Sequence, residues 1–464
     1  GKTGGTTEPD TSAKNEGVKS IIELNTAITD AGETETTIKL AADITGDVVV
    51  PENANITIDL NGKKITNDGG HTITNNGTLT ITDSSDEVGT VDNVTHAKGA
   101  IYNNGTLTIL AGDFTRSAEA GISTGNGGNS WYVILNHGTM AIGSEDGNND
   151  KINVSATGQF SSLVENGWQT ASDNESGKNS KLTIFGGNFE NASYVIKNDD
   201  YATLEISGGT FDSTNNKNTS SSTTILNWNV AKISGGTFIG QYPLSNGAYN
   251  NDADKGQLTI SGGTFTGFSS VFGYGDGGNG VGKMTITDGK FSAPQLGDIA
   301  GKYTLEISGG YFTSDPTEYL AEGKAVGSSD IDGYAYEVVD KVENAKPAES
   351  EVTSVPVKTI ANASEATKEA AKEVKGVNVD SSSTKVIDAA TKELANENTL
   401  EVNEDTTVAG SSEKVVDSLK ALTSDSGLTK DNITLVYQSY IDVTVKEAVK
   451  SDDTEESKKI TELT

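Results

Sequence analysis

The chain has 464 residues, a formal net charge of −32 and no cysteine. Disulfide frameworks and thiol metal sites are therefore excluded, and nucleic acid and anionic membranes are unsuitable partners for a field of that sign. With 53 glycines, 7 prolines and only 33% hydrophobic residues, the composition suits a thin solenoid with a narrow core better than a thick globule.

Residues 1–17 read as a linker opening on Gly-Lys-Thr-Gly-Gly, and the absence of Met there reads as a trimmed start whose targeting ends lie elsewhere. No signal peptide and no apolar run long enough for a bilayer are found, so membrane insertion is not expected. From Val18 to Thr29, Ile21, Leu24, Ala27 and Ile28 fall on one helical face. This predicts a short helix that caps the open end of a solenoid occupying residues 18–342.

Strands are expected at Thr37–Leu40, Val48–Val50 and Ile56–Leu60. The phrase Asn76-Gly-Thr-Leu-Thr-Ile81 then returns as Asn104-Gly-Thr-Leu-Thr-Ile109 and, with changes, as His137-Gly-Thr-Met-Ala-Ile142. From Leu182 it gains a corner. Leu204-Glu-Ile-Ser-Gly-Gly-Thr-Phe211 is followed by close copies ending in Phe238, Phe265, Phe291 and Phe312, and preceded by one ending in Phe189. Successive Phe residues are 22, 27, 27, 26 and 21 positions apart, the period of a solenoid whose units cannot bury an apolar face alone. Apolar and polar residues alternate in Leu-x-Ile, the period of a half-buried strand, and two glycines then turn the chain. Helical spacing and the leucine-rich pattern are both absent. The prediction is an all-β right-handed parallel β-helix of about ten rungs, or about 50 Å of stack.

Another strand precedes each phrase and ends in asparagine, at Asn103, Asn136, Asn166, Asn198 and Asn227. Recurrence in step with the rungs predicts an asparagine ladder along one corner, not a set of ligand contacts. After Phe312, Tyr319–Gly323 and Tyr334–Val339 are expected to close the stack. Residues 343–357 read as a second linker. Glycine then thins and Lys, Glu and Ala rise, which predicts a small α+β module over 358–464, with helices from Asn362 to Gly376, Ser383 to Asn396 and Ser412 to Leu422.

Together the cap helix before Ile56-Thr-Ile-Asp-Leu-Asn-Gly62, the Gly-Gly-Thr-Phe corners and the ending Gly309-Gly-Tyr-Phe-Thr-Ser-Asp-Pro316 resemble the large modular surface proteins of gut Gram-positive bacteria. The β-helix modules of those proteins are similar to pectate-lyase-like folds. The resemblance covers about residues 18–340 and implies a secreted, cell-surface, adhesin-like protein. The C-terminal module resembles the small repeated domains that link such proteins to the wall, although the usual wall-sorting motif is not present.

Polysaccharide lyases and hydrolases share this fold class, so chemistry has to be argued from residues. Resemblance to the lyases implies a basic residue beside carboxylate-bound calcium. The arginine available is Arg116, and no Asp cluster flanks it. Asp199-Asp200 is the best carboxylate pair for hydrolysis, but it falls in an insertion without a histidine. His137 reads as a corner filler in place of Asn76 and Asn104. No convincing catalytic constellation emerges. Asp146 and Asp150, and Asp252 with Asp254, offer calcium oxygen ligands without the EF-hand spacing, and the preferred reading is solvated acidic loops with no cofactor.

Aromatic residues give the stronger signal. Trp168, Tyr201, Trp228 and Tyr249 follow the asparagine corners, and Trp131-Tyr132 extends the set. If the corners stack, these rings form a stripe suited to sugar rings or a protein partner; the blander alternative is that they pack on the solenoid. The expected function is a monomeric surface adhesin or binding module for a glycan or host protein. A passive stalk is the alternative, and a polysaccharide lyase or hydrolase comes third.

Overall fold

The computed structural model describes residues 16–67, 69–95, 98–117, 132–156, 162–168, 179–214, 223–248, 254–273, 282–345, 377–378, 434–435 and 441–444. The chain divides into two compact units, Gly1–Ala321 with Ser329–Glu337, and Glu322–Ser328 with Val338–Thr464.

The first unit is a right-handed parallel β-helix with three strands per turn. Its first sheet holds eleven strands among the described residues, from Thr36–Lys39 to Thr304–Ile307, and every pairing within it is parallel. The second sheet runs from Ile44–Thr45 to Tyr311–Phe312, and the third from Val48–Val50 to Phe272–Gly273. Because strands two rungs apart never exchange places, identical positions of successive phrases lie directly over one another. Ile81, Ile109, Ile142, Ile184, Ile206, Ile233, Ile260, Ile286 and Ile307 form one such column in the first sheet.

On the second sheet, Phe189, Phe211, Phe238, Phe265, Phe291 and Phe312 stack in register. Adjacent ring centroids are 4.6 to 4.9 Å apart with interplanar angles of 4 to 11°. All six are fully buried. The glycine before each corner makes this possible: Gly236 sits at φ +110°, and a Cβ there would come within 3.0 Å of the Phe238 ring.

The asparagine ladder lines the inner corner of the third sheet and extends one rung past the predicted set at each end. Asn75 donates its side-chain amide to Asn103 Oδ1, and the pattern repeats through Asn136, Asn166, Asn198, Asn227 and Asn246 at 2.8 to 2.9 Å. Each of these asparagines is fully buried. Its amide must therefore be satisfied inside the stack, and an identical neighbour one rung away satisfies it.

The cap helix spans Ile21–Ala31, later than the apolar pattern alone suggests. Ser20 takes the N-cap and accepts from Glu23 N–H, while Glu23 accepts from Lys19 N–H, so the first helical residue is Ile21. Leu24 and Ile28 are buried toward the first rung, and Gly32 ends the helix at φ +58°.

Closure of the stack differs from expectation. Tyr319 belongs to a 3-10 turn, Thr317–Tyr319, because Asp315 accepts from Thr317 N–H and Pro316 fixes the turn entry. Leu320 bridges to Ile307, and Ala321 N–H donates to Ile307 O at 2.8 Å. The closing strand starts at Tyr336, three residues past a turn at Gly333, and it pairs antiparallel with Tyr311–Phe312.

In the second unit, Lys324–Ser328 neighbours the strand that continues from Val338, and Ile441–Thr444 pairs antiparallel with Lys341–Ala345. Val377–Asn378 pairs with Thr434–Leu435. The helices expected in 358–464 lie outside the described residues.

Candidate functional site: an aromatic row and a buried acid–amine cluster

Strand alternation decides which residues leave the third sheet on its outer side. Ile134, Val164 and Ile196 share the inner face with the ladder, so the residue just before each ladder asparagine faces out. In register these outer residues are Thr74, Tyr102, Leu135, Glu165, Lys197, Leu226 and Ser245. The residue just after each asparagine forms a second column. Asn104, His137, Gly167, Asp199, Trp228 and Gly247 each donate a backbone N–H to the ladder asparagine of the preceding rung.

Toward the N-terminal end Tyr102 and His137 of these columns join His71 and Trp168 in a continuous row of rings. His71 stacks on Tyr102 at 4.9 Å and 22°, Tyr102 meets His137 edge-on at 5.0 Å, and His137 lies 5.9 Å from Trp168. The Tyr102 hydroxyl lies 3.0 Å from His137 Nδ1, and His71 Nδ1 accepts from Gly99 N–H at 2.9 Å. All four side chains are half-buried. Burial, with Lys98 nearby, lowers the His71 pKa to about 4. Burial lowers His137 to about 4 as well, against an opposing pull from Asp199. At neutral pH the row is therefore uncharged, one ring per rung, on a protein of strongly negative net charge.

Beyond Trp168 the character changes from open to buried. Tyr132, Glu165, Lys197, Asp199 and Trp228 are each more than 90% buried and converge on one ammonium. Lys197 Nζ lies 3.2 Å from Asp199 Oδ2, 4.0 Å from Glu165 Oε2 and 3.5 Å from the Tyr132 hydroxyl, and 4.4 Å from the centre of the Trp228 ring. Neither carboxyl oxygen of Glu165 has a hydrogen-bond partner of normal geometry. Burial, then the Asp199 charge, pushes the Glu165 carboxyl well above the ordinary carboxylate range. Next to this cluster Asp200 pairs with Lys255 at 2.6 Å, and that ammonium sits 3.7 Å from the centre of the Tyr201 ring. Tyr201 adopts a left-handed φ of +61°, a position that a non-glycine residue holds only when its surroundings fix it.

The residues singled out from sequence thus separate. Trp168 and Tyr201 are half-buried, whereas Tyr132 and Trp228 are buried against Lys197; Trp131 and Tyr249 lie outside the described residues. Asp146, Asp150 and Asp254 are exposed, and Asp252 lies outside the described residues. Among the described residues no group of three or more His, Asp or Glu is placed to hold a metal ion. Arg116 is buried and shares its strand face with Phe114.

Sequence reasoning missed His71, Tyr102, Glu165 and Lys197. A signal existed for the last two: consecutive rungs place a charge directly before the ladder asparagine, in the slot that Leu135 and Leu226 fill elsewhere. Among the described residues no helix is long and apolar enough to cross a membrane. No family model, curated protein or solved structure compared with the chain matches it.

Proposed function

We propose that the protein is a secreted, cell-surface binding module that holds a glycan along the His71–Tyr102–His137–Trp168 row. The observation that carries this is the row itself: four half-open rings, one on each successive rung, spaced 4.9 to 5.9 Å apart. Aromatic faces offer flat apolar area, and the Tyr and Trp tips add polar contacts, the combination that sugar rings need. The neutral imidazoles and the −32 charge favour an uncharged glycan over a sulfated or uronic one. A rigid rung repeat also presets the ring spacing, so little ordering entropy opposes binding.

The test is an array of neutral and acidic glycans, followed by calorimetry on any hit, with the wild type, Tyr102→Ala and Trp168→Ala. Removing either ring is expected to weaken binding by about 2 kcal/mol, or about thirtyfold. Equal affinity in both folded variants overturns the assignment, and a wild type that binds no glycan leaves a spacer as the function.

A further inference from the structure

Besides its place in the row, His71 holds a contact that depends on its charge. Its Nδ1 accepts from the Gly99 backbone N–H at 2.9 Å, so the neutral ring carries its proton on Nε2. The same ring lies 4.9 Å from Tyr102 at an interplanar angle of 22°. We propose that His71 is an acid-operated latch: protonation turns Nδ1 into a donor, frees Gly99 and swings the imidazole off Tyr102, which takes apart the N-terminal half of the row. The latch follows from the fold and does not rest on the glycan reading.

Gly99 is not the partner that yields when Nδ1 becomes a donor. Its carbonyl accepts from Thr72 N–H at 3.2 Å, and a Cβ there would lie 2.8 Å from Leu135 Cδ1 and 2.9 Å from the Tyr132 carbonyl oxygen. One residue on, Ala100 donates to Val133 O at 2.8 Å and accepts from Ile73 N–H at 2.9 Å, which ties this segment to the rungs on both sides. Two N–H groups would then face each other across a fixed backbone. His71 precedes its strand, Ile73–Asn75, and its half-buried side chain is the part that can rotate away.

The charges around the ring act in the same direction. Lys98 has the largest effect, followed by His137 and Arg116, and each disfavours an imidazolium at His71. Asp47, on the preceding rung, is engaged by the Asn67 amide, which also donates to the His71 carbonyl oxygen at 2.9 Å. The Tyr102 face attracts an imidazolium and so opposes release. At a half-open site that attraction is smaller than the cost of an N–H left facing another donor. Burial, then Lys98, lowers the closed ring to about 4, whereas a released imidazole titrates near 6.5. Between those values the open form binds the extra proton. The latch therefore holds fully above about pH 6.5, and its hold is lost as pH falls to about 4.

Hydrogen exchange of the full chain tests this, read at the Gly99 and Thr72 amides after the intrinsic pH dependence is removed. Linkage to one proton predicts that the wild-type opening constant rises about tenfold per pH unit from about pH 6.5 to 4 and then levels off. Amides around Phe238 are expected to keep their protection, which separates the latch from global unfolding. In His71→Asn, Oδ1 replaces Nδ1 as the acceptor but does not titrate, so its opening constant is expected to stay flat. With three histidines in the chain, ring NMR of the wild type gives a second reading, and the His71 signal is expected to move with the exchange. A wild-type opening constant at Gly99 that ignores pH overturns the latch, as does an equal rise in His71→Asn. Should that variant fail to fold, a His71 signal that titrates apart from the exchange step overturns it.

Discussion

At the scale of single residues, the stack is held by side chains that meet copies of themselves. Phe238 lies between Phe211 and Phe265 at 4.8 and 4.7 Å, so Phe238→Ala opens a cavity that neither neighbour can fill. The expected loss is about 3–5 kcal/mol in denaturant unfolding, and a near-neutral shift contradicts the column. His137 makes a different point. Its folded pKa is about 4, whereas the unfolded side chain titrates near 6.5. Between those values the unfolded chain binds the extra proton. The contribution of His137 is therefore complete above about pH 6.5 and is lost as pH falls through about 4. His137→Asn restores the residue found at the matching slots Asn76 and Asn104. Its melting temperature is expected to fall less than that of the wild type between pH 7 and 4, and parallel curves contradict the assignment.

At the scale of elements, the corner after the ladder sets how closely rungs approach. A Cβ on Gly105 would sit 2.1 Å from Gly77 O and 2.9 Å from the Asn76 carbonyl carbon. Both are backbone atoms, and the backbone cannot swing aside as a side chain can. Gly105→Ala is expected to destabilise by at least the 1–3 kcal/mol of ordinary overpacking, estimated roughly; unchanged unfolding contradicts this tight corner. These elements were readable from sequence because a solenoid turns repetition along the chain into adjacency in space. A phrase seen six times becomes a column six rings high, with no long-range inference needed. The stack's end was less readable. Asp315-Pro316 forces a 3-10 turn where the apolar Tyr319-Leu320 suggested a strand, and the local turn chemistry prevailed.

The candidate site was less legible than the fold, for a related reason. The aromatic signal was found, but exposure depends on what the neighbouring rungs place alongside. Trp228 is buried because Lys197, one rung earlier, lies against its face, whereas Trp168 follows a glycine and stays half-open. A single Glu or Lys in an alternating strand reads as a solvated residue. Only the register that stacks Glu165 on Lys197 shows two charges sharing a buried position. His71 precedes its strand and belongs to no repeated phrase, so its place against Tyr102 came from the fold alone.

At the scale of the whole molecule, a chain of strongly negative net charge carries the uncharged His71–Tyr102–His137–Trp168 strip on its β-helix. Strong negative charge repels polyanions, so the proposed glycan reading favours neutral partners for the strip. The three sheets make that strip rigid, because each ring is fixed to a strand that is hydrogen-bonded above and below. Rungs rise by about 4.8 Å, so a bound chain should gain contacts sugar by sugar until the row is filled. The most direct measurement is calorimetry with one neutral glycan in lengths from two to eight sugars. Affinity is expected to climb to about four sugars, one per ring, and then level off. An affinity independent of length, or one that keeps rising past the last ring, contradicts the row as the binding site.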